Sequence, residues 1–378
     1  MTKMRIIYWI GCIGDKYGSL ERYNVLLAQA CNQRGHDLII MHDIPNTVPE
    51  YAQDLCDAKA KLLVNDHSYD NPLPSLLHAA RLAKEWRPDV IHTHFVNPLA
   101  LPMFKLLNVP LLYQTYHSGI VHKISLRKRI IKWGVQKCTR RIFAVSDRVR
   151  NDEIRAGVNP SHIFTLPLGL AIRDFLNSTE IINRPYPGGF NNPTKKIIFT
   201  VGRFFPVKGM RFVVEAAIEV LQKHQEVIWW LVGVDGPEKE YSLSLVEQAG
   251  LTRKILFLGQ RNDVAALMKN SYLQVVGSLY EGLPLMALES SALGVPVVGT
   301  QIGGMDEAVL DEKTGLLVPK GSGHALAVAT LELLDDEKHR DQLGLAAKKY
   351  VHDHYDAEKL VNDLLDFYEK DFNNSTNH

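Results

Sequence analysis

The chain has 378 residues. This length exceeds what one hydrophobic core usually supports, so it predicts two domains. Hydrophobic residues make up 46% and charged residues 22%, a balance that excludes a disordered or fibrous chain and is typical of a globular enzyme. The formal net charge is +1, so no overall field attracts nucleic acid, and no nucleic-acid partner is expected.

The cysteines and the N-terminus bear on the cellular compartment. The four cysteines are Cys12, Cys31, Cys56 and Cys138. They lie far apart and form no Cys-x-x-Cys pair, which predicts reduced thiols in the cytoplasm. The apolar run Ile6 to Ile13 is similar to a short signal peptide, but no cleavage motif follows, so a buried first strand is favoured. The longest other apolar run, Val227 to Val234, is too short to span a bilayer.

Short apolar runs alternate with amphipathic stretches, a pattern that predicts an α/β fold with parallel strands covered by helices on both faces. In the first half the predicted strands are Arg5 to Ile10, Asp37 to Met41, Val90 to His92, Pro110 to Gln114 and Arg141 to Ala144. In the second half they are Lys196 to Thr200, Ile228 to Val232, Ile255 to Phe257, Leu273 to Val276 and Pro296 to Gly299. The cycle of strands and helices therefore occurs twice.

The segment Asn177 to Pro193 is rich in Asn, Pro and Gly, as a linker is. It predicts a first domain over residues 1–180 and a second over residues 194–355. The tail, residues 356–372, has an apolar stripe at helical spacing. The residues of this stripe are Leu360, Val361, Leu364, Leu365 and Tyr368. We expect this helix to pack back on the first domain.

Two glutamates flank a predicted turn from a strand to a helix in the segment Glu281-Gly-Leu-Pro-Leu-Met-Ala-Leu-Glu289. Pro284 suits a first helical position, so the helix is expected to begin there with its amide groups facing a phosphate. Glu281 would lie beside that phosphate, and the Glu289 carboxylate would accept hydrogen bonds from the diol of a ribose. The alternative is that Glu289 is a solvated helix residue.

Two cations follow another predicted strand, in the segment Gly202-Arg203-Phe-Phe-Pro-Val-Lys208-Gly209. The guanidinium of Arg203 and the ammonium of Lys208 suit a diphosphate. Neutralising a departing diphosphate is the main electrostatic task when a nucleotide-sugar bond breaks. The alternative is that both are ordinary surface cations.

Taken in order along the chain, these motifs resemble glycosyltransferase family 4. The matching segments are Gly18-Ser19-Leu20-Glu21, Val201 to Gly209, Glu281 to Glu289, Gly294 to Val298 and Gly303-Gly304 with Glu307. Ser19 replaces the second glycine of the family's N-terminal loop. The resemblance implies the GT-B fold, in which two Rossmann-like domains face each other across a cleft, and transfer of a sugar with retention of anomeric configuration.

The resemblance also implies roles for residues that bind the donor. Arg203 and Lys208 would bind the donor diphosphate, Glu289 would hold the ribose, and Glu281 would contact the donor sugar. Backbone groups that would assist the phosphate belong to Gly282, Leu283, Leu285 and, from the other domain, Gly18. The segment Gly259-Gln260-Arg261 is similar to the one that meets the base, and Arg261 would stack on that base.

His117, in Thr115 to Gly119, matches the family's histidine close to the reacting sugar. The alternative is a hydrogen-bonded loop histidine. His94 is also similar to a family position, but we interpret it as structural.

No Asp-x-Asp pair is placed to hold a divalent ion against the diphosphate, and Arg203 and Lys208 already supply positive charge. The sequence therefore predicts neither a metal nor another cofactor. The resemblance implies front-face attack, in which an oxygen of the leaving group helps to deprotonate the acceptor hydroxyl.

The segment His122 to Arg141 contains many cations and no acidic residue. As a helix, it would place cations beside Ile130, Ile131 and Trp133, which suits an anionic membrane surface or a phosphorylated acceptor. A solvated helix face is the alternative. The expected localisation is cytoplasmic, with peripheral contact at the inner face of the cell membrane.

The predicted function is a retaining glycosyltransferase that uses a nucleotide-sugar donor, with UDP preferred and GDP second. The acceptor would be a glycan or a lipid-linked molecule in lipopolysaccharide, polysaccharide or other glycoconjugate synthesis. A GT-B epimerase or hydrolase and a non-catalytic sugar-nucleotide-binding protein remain alternatives. A nicotinamide-dependent oxidoreductase is disfavoured, because no Gly-x-Gly-x-x-Gly follows the first strand.

Overall fold

A computed structural model describes residues 2–11, 17–43, 48–65, 72–98, 100–119, 125–180 and 196–376. Most of the predicted linker and the start of the basic segment, residues 122–124, lie outside these ranges. The chain divides into two compact units. Unit 1 comprises Met1–Ala171 and Ala357–His378, and unit 2 comprises Ile172–Asp356.

Unit 1 contains a seven-stranded sheet in the order β3-β2-β1-β4-β5-β6-β7, with every pair of neighbours parallel. The strands are β1 (Arg5–Ile10), β2 (Asp37–His42), β3 (Lys61–Val64), β4 (Val90–His94), β5 (Leu111–Tyr116), β6 (Arg141–Ala144) and β7 (Ile163–Thr165). The helices between them are α1 (Ser19–Gln33), α2 (Pro49–Asp57), α3 (Pro72–Trp86), α4 (Ala100–Leu106), α5 (Leu126–Cys138) and α6 (Asp147–Arg155). The strand order reverses between β1 and β4, and ligands bind at the carboxyl ends of strands at such a point.

Unit 2 contains a six-stranded parallel sheet in the order β10-β9-β8-β11-β12-β13. The helices are α7 (Ile172–Asn177), α8 (Met210–Lys223), α9 (Lys239–Gln248), α10 (Val264–Lys269), α11 (Leu285–Ala292), α12 (Met305–Ala308), α13 (Gly323–Asp335) and α14 (Glu337–His354). The strands are β8 (Ile197–Val201), β9 (Ile228–Val232), β10 (Ile255–Gly259), β11 (Leu273–Val276), β12 (Val297–Thr300) and β13 (Gly315–Val318). The order reverses between β8 and β11, so the loops after these two strands meet at one edge of the sheet.

Both sheets confirm the predicted α/β class. The central strands follow the apolar runs, and β9 is buried along its whole length, with Trp229 Nε1 donating to Thr200 Oγ1 at 3.1 Å. Three strands, β3, β7 and β13, were not predicted. All three lie at a sheet edge, where a short strand has only one neighbour and needs no long apolar run.

The first unit ends earlier in the chain than the predicted boundary at residue 180. Residues 172–180, comprising α7 and the 3-10 turn Ser178–Glu180, belong to unit 2. Lys269 Nζ donates to Thr179 Oγ1 at 3.1 Å, which ties the turn to α10. The segment is polar and short, so its sequence does not indicate which unit it contacts.

The C-terminal helix α15 (Ala357–Thr376) belongs to unit 1. Its apolar stripe is buried, and Tyr368 forms a hydrogen bond with His92 Nδ1. Asp371 is fully buried and accepts two hydrogen bonds from Arg141, at 2.6 and 2.8 Å, and one from the Tyr113 hydroxyl at 3.1 Å. Burial alone would raise the pKa of Asp371, but the hydrogen bonds and charge of Arg141 outweigh it and lower that pKa.

We expect Asp371→Asn to lower the free energy of unfolding by about 3 kcal/mol, because a partly buried guanidinium loses its charged partner. Asp366→Asn is the matched control on the same helix, since Asp366 is an exposed partner of Arg34. Asp366→Asn should lower the free energy of unfolding by less than about 1 kcal/mol. Urea unfolding of both variants provides the comparison, and equal losses would contradict this account of α15.

The difference in the free energy of unfolding between wild type and Asp371→Asn depends on pH. A carboxyl with a lowered folded-state pKa stabilises the fold above its unfolded pKa, about 3.9 for Asp. That contribution disappears as the pH falls through the folded pKa. The difference between wild type and Asp371→Asn should therefore be full at pH 6 and shrink below about pH 4.

Candidate functional site

In unit 2 the loop after β8 carries the two predicted cations, Arg203 and Lys208. Pro206–Lys208 forms a 3-10 turn, and Gly209 then adopts φ +58° before α8 begins. A Cβ on Gly209 would lie 2.0 Å from the carbonyl oxygen of Gly277, so only glycine permits this approach of the two loops. Lys208 is held at the carboxyl edge of the sheet by this turn.

The loop after β11 supplies a partner for Lys208. Lys208 Nζ lies 2.6 Å from Glu281 Oε1, and the Ser278 hydroxyl donates to the same oxygen at 2.7 Å. The backbone N–H of Leu279 donates to the carbonyl of Val207 at 2.8 Å. Both charged side chains are half-buried, so solvent screens the pair only partly.

A cavity of about 240 Å³ lies between these loops. Its lining includes Lys208, Ser278, Glu281, Leu283 and Leu285. The cavity therefore brings a cation, a carboxylate and the first turn of α11 together. This combination can bind an anionic group that also carries hydroxyls.

Helix α11 begins at Leu285, and Pro284 is its N-cap. The prediction that the helix begins at Pro284 is therefore wrong by one residue, because the ψ of Pro284, 89°, is not helical. Glu289 is only 8% exposed, so the alternative of a solvated helix residue is also wrong. Glu289 lies on the helix whose first turn lines the cavity.

Arg203 differs from Lys208 in its surroundings. It is exposed, and its guanidinium lies 5.3 Å from the centre of the Phe205 ring. It is not part of the cavity lining, and no carboxylate in the described part of the chain pairs with it. The site thus has one compensated cation, Lys208, and one cation whose charge faces solvent.

The glycine pair before α12 has a steric explanation. A Cβ on Gly304 would lie 2.3 Å from the carbonyl oxygen of Gly282 and 2.7 Å from that of Glu281. The start of α12 therefore packs directly against the glutamate loop. The hydroxyls of Tyr350 and Tyr355 both donate to the carbonyl of Glu307 at 2.9 Å, which anchors the end of this segment.

The predicted base-binding segment lies at the end of β10. Gly259 has φ +64°, and its carbonyl accepts a hydrogen bond from the Gly233 N–H at 2.9 Å. Arg261 forms a bidentate pair with Asp263, at 2.7 and 2.6 Å. Asp263 was not anticipated from the sequence. The pair fixes the plane of the guanidinium, which a stacking role requires.

In unit 1 Gly18 is the N-cap of α1, and its N–H donates to Glu21 Oε2 at 2.9 Å. The Gly-x-x-Glu spacing therefore produces a helix cap in this structure. The Gly18 N–H is thus engaged by its own helix, and the approach of Gly18 to a phosphate stays a prediction. Gly18 has φ −100°, so the conformation here does not require glycine.

His117 lies just after β5 and contacts two residues from the end of β4. Its Nε2 is 2.9 Å from His94 Nδ1, and its ring stacks on that of Phe95 with centroids 3.8 Å apart. Desolvation by burial lowers the pKa of His117 to about 3, so the ring is neutral near pH 7. Phe95 was not identified from the sequence, although its place directly after the His-x-His strand would have indicated it.

Helix α5 contains most of the basic segment. Leu126, Ile130 and Trp133 are 74%, 60% and 62% exposed, and their spacing places them on one face of the helix. Lys137 Nζ lies 5.8 Å from the centre of the Trp133 ring. Not every cation of the segment faces outwards, because Lys132 is buried and pairs with Glu153.

Arg140 and Arg141, at the end of the segment, also have a specific partner, Asp371. None of the helices described is both long enough and apolar enough to cross a membrane.

Two parallel sheets, each with a reversal of strand order near its centre, define the fold class as two Rossmann-like domains. The model of the Glycosyltransferase Family 4 domain matches residues 20–173, and that of Glycosyl transferases group 1 matches residues 188–350. Together these matches cover most of both units. The chain belongs to glycosyltransferase family 4 and is a glycosyltransferase.

Relatives of known activity and a solved structure agree with this assignment. N-acetyl-alpha-D-glucosaminyl L-malate synthase of Bacillus anthracis is 27% identical over 79% of each chain. An Escherichia coli UDP-Gal:alpha-D-GlcNAc-diphosphoundecaprenol alpha-1,3-galactosyltransferase is 26% identical over 70% of this chain and 71% of its own length. Anabaena HepE, crystallised with UDP and glucose, has a TM-score of 0.78 at 18% identity and covers 97% of this chain and 100% of its own. The predicted GT-B fold class is thereby confirmed.

The close approach at Gly209 generates a test of this loop. Gly209→Ala should destabilise the protein by about 3 kcal/mol or more, because a Cβ would overlap the Gly277 carbonyl in addition to the cost of a left-handed alanine. Gly250→Ala is the matched control, since Gly250 has φ +69° but no atom of the described residues lies within 4 Å of its Cβ position. It should cost about 1 kcal/mol. If urea unfolding gives the same loss for both, the loops do not approach as described.

Proposed function

We propose that this glycosyltransferase transfers a sugar from a UDP-sugar, with retention of anomeric configuration, to a hydroxyl of a glycan or lipid-linked acceptor. The observation that carries the proposal is the cavity where Lys208, Glu281 and the first turn of α11 meet. A diphosphate needs cations and N–H donors, and a sugar beside it needs a hydrogen-bond acceptor. Lys208 supplies the cation, the first turn of α11 supplies the N–H donors, and Glu281 supplies the acceptor.

The charge requirement can be met by this chain's own residues. When the bond between the sugar and the diphosphate breaks, negative charge grows on the leaving oxygen. Lys208 lines the cavity, and Arg203 lies on the same loop with its charge exposed to solvent. We therefore expect donor binding without a metal ion.

The preference for UDP rests on relatives of similar fold or sequence. HepE is crystallised with UDP, and the E. coli relative is named for UDP-Gal. For the ribose, Glu289 is the proposed acceptor of hydrogen bonds from the diol, because it is a buried carboxylate on α11. GDP remains the second choice of nucleotide.

Retention is proposed to proceed by attack on the face from which the diphosphate leaves. The acceptor oxygen forms the new bond to the anomeric carbon while the bond to the diphosphate oxygen breaks. The proton of the acceptor hydroxyl passes to that leaving oxygen. Lys208 and Arg203 stabilise the departing diphosphate, and no covalent intermediate with a side chain is needed.

Lys208→Ala should weaken UDP binding by about ten- to a hundredfold, because one charge-assisted hydrogen bond is worth about 1.5–3 kcal/mol. The matched control is Lys223→Ala, at the opposite end of α8, which removes an exposed lysine paired with Glu219. Isothermal titration calorimetry of UDP in the presence of EDTA measures both. Equal affinity of a folded Lys208→Ala variant and the wild type would remove Lys208 from the diphosphate site.

We propose in addition that α5 contacts an anionic membrane surface. Its exposed stripe of Leu126, Ile130 and Trp133 is apolar, and Arg127, Arg129 and Lys137 are exposed on the same helix. An apolar stripe with flanking cations is the arrangement that binds a helix to anionic lipid. The diphosphoundecaprenol acceptor in the name of the E. coli relative supports a lipid-linked acceptor.

The double variant Ile130→Ser, Trp133→Ser should bind vesicles containing phosphatidylglycerol about tenfold or more weakly, because two apolar side chains no longer leave water. Leu345→Ser, an equally exposed leucine on α14 in unit 2, is the control. Vesicle co-sedimentation measures bound protein, and pure phosphatidylcholine should bind less wild type than the anionic mixture. Unchanged binding of the double variant would show that α5 is a solvated face.

A further inference from the structure

His94, the last residue of β4, and His117, just after β5, share one hydrogen bond, between His94 Nδ1 and His117 Nε2 at 2.9 Å. Burial lowers the pKa of both rings, so both are neutral near pH 7. A neutral imidazole has one N–H and one nitrogen that accepts. One ring must therefore donate to the other, and the direction fixes the position of the proton on both.

The surroundings of His94 decide the direction. His94 is 1% exposed, and its Nε2 has no hydrogen-bond partner among the residues that the structure describes. A buried N–H without an acceptor is rarer and more costly than a nitrogen with an unused lone pair. The proton of His94 therefore lies on Nδ1, which donates to His117 Nε2.

This direction leaves His117 with its proton on Nδ1. The described residues offer that nitrogen no hydrogen-bond partner, and it is not among the buried polar atoms without one. Its N–H can therefore donate to a ligand. Phe95 covers one face of the ring, and the hydrogen bond to His94 holds Nε2 towards the end of β4.

We propose that His94 is a positioning residue that fixes His117 as the Nδ1–H tautomer, so that His117 presents a hydrogen-bond donor to an oxygen atom of the bound sugar substrate. The identity of that ligand rests on the proposed function, whereas the tautomer does not. In this state Nε2 is engaged by His94 and Nδ1 already carries its proton. His117 then cannot be the base that deprotonates the acceptor, which agrees with transfer of that proton to the leaving diphosphate.

The backbone around Phe95 maintains this arrangement. Phe95 has φ +58°, a left-handed conformation that a bulky residue adopts only when its surroundings enforce it. The Gly11 N–H donates to the carbonyl of His94 at 2.7 Å, and a Cβ on Gly11 would lie 2.6 Å from the Phe95 carbonyl oxygen. The end of β1 thus supports the turn that lays Phe95, 47% exposed, against His117.

The test is ¹⁵N NMR of the full chain labelled at its 15 histidines. The variant His117→Gln identifies the His117 resonances. In wild type at pH 7, Nδ1 of His117 should appear at the shift of a protonated nitrogen and Nε2 at that of an unprotonated one. The opposite assignment would overturn the proposal from the wild-type spectrum alone.

Two substitutions of His94 separate positioning from packing. Asn places an amide nitrogen where Nδ1 was, so His94→Asn should keep the wild-type tautomer of His117. His94→Leu has no donor and should move the proton of His117 from Nδ1 towards Nε2. Identical His117 shifts in the two variants would contradict the proposed role of His94.

Calorimetry with UDP keeps this proposal distinct from the proposed function. The residues proposed to bind UDP lie in unit 2, so both His94 variants should bind it as wild type does. If wild type does not bind UDP, the proposed function fails while the tautomer assignment stands. If UDP binds and His117 carries its proton on Nε2, only the inference about His94 fails.

Discussion

The ion pair between Lys208 and Glu281 joins the two loops that form the cavity in unit 2. Lys208 follows β8 and Glu281 follows β11, the strands between which the sheet order reverses. The pair, the hydrogen bond from Ser278 and the close approach at Gly209 hold the loops in place before any ligand arrives. A site built in this way does not have to be ordered by its substrate, so less binding energy is lost on ordering it.

The same pair sets the electrostatics of the proposed donor site. Glu281 compensates Lys208, so a second cation is needed to attract a diphosphate strongly, and no carboxylate among the described residues compensates Arg203. The carboxylate of Glu281 also opposes a phosphate placed too close to it, since like charges repel. We infer that the diphosphate lies on the side of the cations and that hydroxyls, which can donate, lie beside Glu281.

In unit 1 the C-terminal helix contributes to the surroundings of the histidines. Tyr368 on α15 bonds to His92, and the rings of His92 and His94 lie 4.4 Å apart. Asp371, one turn further along, is bound by Arg141 and Tyr113 from strands of the same sheet. The last helix therefore helps to hold the strand that carries His94, although it lies far from that strand in sequence.

Much of this fold could be predicted from the sequence, because buried parallel strands need continuous apolar runs. The edge strands β3, β7 and β13 were missed since one neighbour suffices to hold a short strand. In the site, the sequence identified Lys208 and Glu281 as candidate residues, but it did not predict that they contact each other. Spacing along the chain identifies loops at strand ends and does not give distances between loops.

Other misses share a different cause, namely that a side chain's partner lies outside its own motif. Lys132 was counted with the exposed cations, yet it is buried against Glu153 on the next helix. Arg261 is held by Asp263, two residues beyond the segment Gly259-Gln260-Arg261. His94 and His117 are 23 residues apart, and their contact arises because β4 and β5 are neighbours in the sheet.

The central claim is that unit 2 binds a nucleoside diphosphate through this chain's own cations. Titration of the full chain with uridine, UMP and UDP in EDTA by calorimetry tests it most directly. We predict that UDP binds at least about tenfold more tightly than UMP, because the second phosphate adds a charge-assisted contact. Equal affinity for UMP and UDP, or UDP binding that appears only when a divalent metal ion is restored, would contradict the account.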